Sequence, residues 1–301
     1  MSEVNKYIDF GSYPQSEVTD NKLINELNKL VTTLPTATDY GSWTSYDYYE
    51  NGVVTPFMWY IDVTYNNELY RGVYFTNIRF TIINREGYDQ SDISRIYPHI
   101  KLCNIYWYKY EPIKWRVLSD TEDEMLLITD LIVDFMEYYH SQNDRSINGK
   151  TIYANNWEYS NIREWLNNKF YNLAFNEKEK ELILEKLINN KESFHSFSSK
   201  YFRSQNDTVD KVYLLSYHES SLYFSGSCLC DETKLTNPTK YAIINHMISG
   251  VRKDCDEWFL RTCGLMNSYM VNYVDEIGKI DDETFVDVVH GIRPVINISK
   301  K

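Results

Sequence analysis

The sequence predicts an α+β fold: antiparallel sheets with a few helices, and a β-rich stretch near the N-terminus. Three observations predict it. Runs rich in β-branched and aromatic residues, punctuated by Asn, Gly and Asp, fill 36–110 and return after Trp258. Helical periodicity with N-cap residues concentrates between Ser160 and Glu219. With 43% hydrophobic residues but only 11 Gly and 7 Pro in 301 residues, the chain is neither disordered nor collagen-like and has the length to bury a core. There is no sustained internal repeat and no Pro/Gly/Ser-rich linker. The simplest organisation is therefore one domain over 1–301, with 16–110 a helix-plus-strand insertion.

The elements follow in order. Phe10-Gly11-Ser12-Tyr13-Pro14-Gln15 reads as a short strand ending in a turn. Asp20 caps a helix whose Leu23, Ile24, Leu27, Leu30 and Val31 keep the 3.6-residue period, and Leu34-Pro35 ends it. Strands are predicted at 57–65, 69–75 and 104–110, with a hairpin turn at Tyr65-Asn66-Asn67-Glu68, where Asn tolerates positive φ. Ile113–Leu118 and Met125–Thr129 form a second hairpin across an acidic turn. Its Asp120, Glu122, Asp123 and Glu124 lack the calcium-loop spacing and read as a solvated turn. Ser160 caps a helix through Ile162, Trp165, Leu166 and Phe170; Asn176 with Glu179 opens another, running to Ile188. Residues 189–208 read as a polar loop. A strand at 212–215 leads to a capping box at Ser216/Glu219, and strands at 258–261, 269–274, 285–289 and 292–298 close the chain.

The 31 Lys+Arg against 43 Asp+Glu leave a net charge of −12 with no basic cluster, which excludes a phosphate-backbone binder, so no nucleic-acid partner is expected. No run approaches the ~18 apolar residues of a membrane span and no signal peptide is visible, so no membrane association and a cytoplasmic location are expected. Five Cys without an export signal read as reduced thiols. Four of them, Cys228, Cys230, Cys255 and Cys263, match the count of a structural zinc site but not its usual Cys-x2-Cys pairing. No cofactor is predicted, with zinc, copper and calcium left open.

Catalytic motifs fail at defined positions. Gly149-Lys150-Thr151 has the tail of a phosphate loop, but Asp144 stands where the first Gly belongs. His218-Glu219 opens a zinc-protease motif that Leu222 breaks. Gly226-Ser227-Cys228 lacks the strand-to-helix context of a nucleophile elbow. The six His are dispersed and read as surface or satisfied core residues. Trp258-Phe259-Leu260-Arg261 and Gly291-Ile292-Arg293-Pro294-Val295 each set an Arg in an apolar strand, where a guanidinium demands several acceptors; their first reading is structural, with ligand contact as the alternative.

These segments, in order with FGSYPQ (10–15), EPIKWRVL (111–118), NIREWLNNKFYNLAF (161–175) and DKVYLLS (210–216), resemble the bacterial domain-of-unknown-function family 6273 over almost the whole chain. That family is similar to the C-type-lectin-like fold of formylglycine-generating enzymes and of retroelement variable proteins, in which equivalent strands are scaffold and irregular loops display the binding surface. The resemblance implies that Trp115, Trp165, Trp258, Arg261, Gly264, Gly291, Arg293 and Pro294 are scaffold. The chain departs from the pattern at Phe259, Thr262 and Cys263, where Trp, Ser and Pro would stand. The function this implies is a non-catalytic module binding a protein, peptide or glycan partner, and non-enzymatic action is preferred. Tyr217, Tyr223, Phe224, Asn267 and Tyr269 are its candidate contacts, because Tyr supplies contact area at low entropy cost. The alternatives are a copper-type oxidase built on the late Cys residues and a structural subunit of a larger or phage-derived assembly.

Overall fold

The computed structural model describes residues 6–46, 58–76, 101–191, 200–224, 232–245 and 257–301. The fold is α+β, built mostly from antiparallel sheets with few helices. The chain divides into two compact units: Met1–Tyr13, Pro112–Pro238 and Arg252–Lys301 make the first, Pro14–Glu111 and Thr239–Val251 the second.

In the second unit, Thr44–Ser45, Met58–Tyr65, Glu68–Phe75 and the first half of the long strand Ile105–Asp120 pair antiparallel. The predicted turn is present: Asn66 and Asn67 take φ of 49° and 64°, the doubly left-handed geometry of a tight hairpin. Asp20 caps the helix Asn21–Lys29 by accepting from the Lys22 N–H, and Leu27 of that helix packs with Tyr70 and Trp107. Arg71 is buried within this unit. It is bidentate on Asp62 (2.8 and 2.7 Å), donates to the hydroxyls of Tyr241 (2.9 Å) and Tyr110 (2.7 Å), and lies 4.0 Å over the Tyr60 ring. A guanidinium so supplied with acceptors is a structural anchor.

Among the described residues the first unit holds two larger sheets and two two-stranded ones. One of the larger sheets pairs Val212–Tyr213, Val295–Ser299, Glu124–Thr129 and the second half of Ile105–Asp120. The other runs Ile280–Phe285, Met270–Val274, Trp258–Cys263, Val289–Ile292, Asp134–Glu137 and is antiparallel except where Trp258 lies beside Gly291. Gly291 is required by close approach: a Cβ there would stand 2.6 Å from Ile132 Cδ1 and 2.9 Å from the Glu257 carbonyl oxygen. Aromatic rings fill the core. Trp115 stacks on Phe175 at 6.2 Å and donates its Nε1–H to the Phe10 carbonyl (2.7 Å), and Trp165 meets Phe170 at 5.3 Å.

Several expectations change. Ile113–Leu118 and 104–110 are parts of one strand, Ile105–Asp120. The helix opened by the Asn176/Glu179 capping box stops at Leu182. Ile183 is extended and bridges to Ile298, and Lys186–Ile188 pairs with Thr208–Asp210 as a two-stranded ribbon. Pairing partners distant in sequence override a pattern that fits a helix equally well. Part of the predicted 189–208 loop is helical, at Lys200–Arg203. Gly149 belongs to an unforeseen hairpin: Asn148 and Gly149 (φ 51° and 75°) form the turn between Arg145–Ile147 and Lys150–Ile152.

Candidate functional site

The first unit carries an open groove of about 510 Å³, lined by residues 158–160, 163, 164, 167, 168, 185, 209 and 211. One wall starts at Ser160, which caps the helix Asn161–Trp165 by accepting from the Arg163 N–H (3.2 Å). That helix continues as a π-helical turn, Leu166–Phe170, an element often found beside functional sites. Asn167 on this turn is fully bonded. Its Nδ2 donates to the carbonyls of Arg163 and Val212, and its Oδ1 accepts from the N–H groups of Lys211 and Val212. The polar face of the helix is thereby fastened to the chain that follows the ribbon.

Val209 of the ribbon, with Glu185 and Lys211 flanking its strands, lines the other side. The ribbon's alternation is sharp: Ile188, Thr208 and Asp210 are buried, whereas Leu187 and Val209, which lie directly opposite each other, are 74% and 57% exposed. The wall is held from beneath by Asp210, 1% exposed, which accepts from Trp157 Nε1 (3.0 Å), Arg163 Nε (2.6 Å) and Thr208 Oγ1 (2.8 Å). Arg163 also donates to the carbonyls of Glu158 (2.9 Å) and Val209 (3.4 Å). Lys211 stands 3.6 Å from Glu185 and 4.8 Å over the Tyr171 ring. Glu158 accepts from the neutral Asn206 amide (2.8 Å), and the Glu164 carboxylate has no hydrogen bond or ion pair among the described residues. Lys169 feels the Glu164 charge, but only as a correction to the burial that lowers its own pKa. Pairing Arg163 with Asp210 and Lys211 with Glu185 leaves the groove lining two unpaired negative charges, Glu158 and Glu164.

The sequence-predicted contacts lie elsewhere. Tyr217 and Phe224 are buried: Tyr217 heads the helix Tyr217–Tyr223 and donates its N–H to Thr262 Oγ1 (2.8 Å), while Phe224 packs on Trp258 (6.2 Å) and under Arg116 (5.1 Å). Tyr223 is half-buried; burial, then Glu219 and Glu124, push its hydroxyl up. Asn267 and Tyr269 are half-buried in one turn. The Asn267 carbonyl accepts from Asn155 Nδ2 (2.9 Å), and Tyr269 meets Phe285 at 5.8 Å.

The two apolar-strand Arg residues are enclosed. Arg261 is bidentate on Glu219 and donates to Leu214 O (2.8 Å) and Asn190 Oδ1 (3.2 Å). Burial works to raise the Glu219 carboxyl, but Arg261 and the Ser216 N–H and hydroxyl outweigh it and hold it below the usual carboxylate range. Arg293 donates to the carbonyls of Thr129 (3.1 and 2.9 Å) and Lys234 (3.4 Å) and lies 4.8 Å over Trp258. Gly264 is buried with its N–H on the Met270 carbonyl (2.7 Å), and the Pro294 carbonyl accepts from the Thr129 N–H (3.1 Å). His290, buried between Phe259 and Tyr273, stands 2.5 Å from Thr284 Oγ1 and 3.1 Å from Glu257 Oε2, but Thr284 is itself buried.

Cys228, Cys230 and Cys255 lie outside the described residues. Cys263 is buried, and burial pushes its thiol up to about 12, the opposite of an activated thiolate. Among the described residues no three His, Cys, Asp or Glu side chains gather as metal ligands, and no helix is long and apolar enough to cross a membrane. Sequence motifs do not announce the groove. Its one local signal is Arg163, Glu164, Asn167 and Asn168 on the polar side of a helix whose apolar face dominates the pattern.

Residues 122–300 match the sequence model of a family described as Domain of unknown function (DUF6273). The match begins after FGSYPQ and EPIKWRVL, so it is shorter than the ordered segments suggested. No curated protein and no solved structure matches the chain.

Proposed function

The chain belongs to the DUF6273 family, and we propose that its family region is a non-catalytic ligand-binding module on a C-type-lectin-like core. The observation that carries this reading is the groove. It is open, its walls are anchored by the buried Asp210 and the fully bonded Asn167, and it sets unpaired carboxylates beside the exposed Val209, whose cross-strand partner Leu187 is exposed just outside the lining. A prearranged surface of this kind binds with little ordering cost. The turn bearing Asn267 and Tyr269 and the half-buried Tyr223 are a second display surface on the same scaffold. The ligand is a protein, peptide or glycan.

The test is to screen the purified full chain on peptide and glycan arrays and then incubate each retained ligand with it under mass-spectrometric readout. Reversible retention of one class with the ligand recovered unchanged is expected. Conversion of the ligand by the protein, or no retention of either class, would overturn the reading.

A further inference from the structure

We propose that the groove between the Ser160-capped helix and the 186–188/208–210 ribbon binds an extended peptide segment carrying a Lys or Arg next to an apolar side chain. This rests on the binding-module reading above and names the ligand class of that site.

The charge argument comes first. The groove contains an Arg and a Lys, yet each is charge-matched: Arg163 is bonded to the buried Asp210 and to two carbonyls, and Lys211 faces Glu185 at 3.6 Å and the Tyr171 ring. Glu158 and Glu164 carry the remaining charge, in a chain of net charge −12 that repels acidic partners and attracts basic ones. Tyr159, 37% exposed, lies on the same wall, but its ring already has the Arg145 guanidinium 5.7 Å over it, so the ligand's cation is left to the two carboxylates.

The apolar argument is independent. Leu187 and Val209 are cross-strand partners on one face, and both stand mostly in solvent, whereas Ile188 and Thr208 beside them are buried. Exposed apolar side chains placed opposite each other on a ribbon, at the edge of a charged groove, suit an occupant with an apolar side chain near its cation. A neutral or acidic glycan supplies no cation, and a polyamine lacks a branched apolar side chain. Among the described residues the ribbon is two-stranded and pairs with no third strand, which leaves an edge where extended backbone can align.

The experiment uses the full chain and fluorescent peptide libraries with Arg or Lys fixed at the centre and an apolar residue within two positions. Matched libraries carry Glu or Ser at the centre. Affinity is measured by polarisation at low and high salt for wild type, E158Q/E164Q, L187S/V209T and, as a control outside the proposed surfaces, Leu30→Ser at an exposed apolar side chain of the second unit. Binding of the basic libraries is expected, weakened by salt, and weakened at least about tenfold in each groove variant but not in L30S. Melting curves matching wild type would show that the groove variants are folded; should L187S/V209T melt early, E158Q/E164Q alone decides. Equal binding in wild type and E158Q/E164Q, or preference for the Glu or Ser libraries, overturns the proposal and leaves the module reading standing. Retention of glycans alone on the arrays does the same. Failure of every peptide and glycan to bind overturns both.

Discussion

Replacing Glu219 with Gln would test what holds the family strands together. Arg261 on the strand Trp258–Cys263 is buried, and Glu219 on the helix Tyr217–Tyr223 is its one carboxylate among the described residues. The amide oxygen of E219Q can keep the capping contact to the Ser216 N–H, so the substitution removes charge more than shape. It leaves a guanidinium whose remaining acceptors are the Leu214 and Asn189 carbonyls and Asn190 Oδ1. Stranding one partner of a buried ion pair costs about 3–5 kcal/mol. With a urea slope of about 3 kcal/mol per M, that moves the midpoint of unfolding down by about 1 M or more. Tryptophan fluorescence reads it, because Trp258 lies on the same strand as Arg261 and is itself buried.

The same pair predicts a pH signature. The folded Glu219 carboxyl lies below its ordinary value, so the folded state holds fewer protons there than the unfolded chain. Its stabilisation is complete above the ordinary carboxylate pKa of 4.5 and is lost as pH falls through the depressed folded value. The gap between wild type and E219Q should therefore be flat from neutral pH down to about 5 and close at lower pH. Adding R261M to E219Q should recover part of the loss, since no orphaned charge is then buried. A midpoint change below about 0.3 M, or a gap unchanged at acid pH, would refute the assignment of this pair as an anchor.

Three further perturbations check other contacts. Gly291→Ala should destabilise by about 1–3 kcal/mol in the same titration, because the Glu257 carbonyl at 2.9 Å from the new Cβ is backbone and cannot swing aside. Iodoacetamide at pH 8, followed by peptide mass mapping, should label the exposed Cys103 at least about a hundredfold faster than Cys263; equal rates would contradict the enclosure of Cys263. Tyr241→Phe removes the hydroxyl that accepts from Arg71 Nη1 and should cost about 1–3 kcal/mol, with hydrogen exchange accelerating in Met58–Tyr65 and Glu68–Phe75.

What the sequence revealed follows from the range over which its signals act. Caps and tight turns are local chemistry, and they read correctly: Asp20 caps its helix, Asn176/Glu179 and Ser216/Glu219 close capping boxes, and Asn66-Asn67 turns a hairpin. Where a segment fits two periods, its partners decide. Leu182, Ile183, Leu187 and Ile188 match a helical face, but Ile298 and Thr208–Asp210 pull the segment into extended pairings that no local pattern records. Asn148-Gly149 is a strong turn signal that the following Lys150-Thr151 disguises as the tail of a phosphate loop. Tyr217 and Phe224 show the limit of composition: tyrosine and phenylalanine suit binding surfaces and cores alike, and only packing against Trp258 and Thr262 separates the two uses. The groove is the least legible feature, because its carboxylates come from 158, 164 and 185 and its exposed apolar side chain from 209, paired across the ribbon with 187.

The charge that the groove presents is decided by a residue that never reaches solvent. Arg71, Arg261 and Arg293 are buried and saturated with acceptors, so each serves as an anchor and none as a contact. Arg163 differs in bordering open space, and its position on the groove wall would by itself favour an anion. Asp210 reverses that preference. Held 1% exposed by Trp157, Thr208 and Arg163 itself, it cancels the guanidinium from below and leaves Glu158 and Glu164 as the net charge of the groove lining. The buried carboxylate thus does two things at once: it fixes the ribbon against the helix, and it sets the sign of the charge that the groove lining presents. In the binding role proposed for the groove, the choice of ligand charge would then be made one layer beneath the surface.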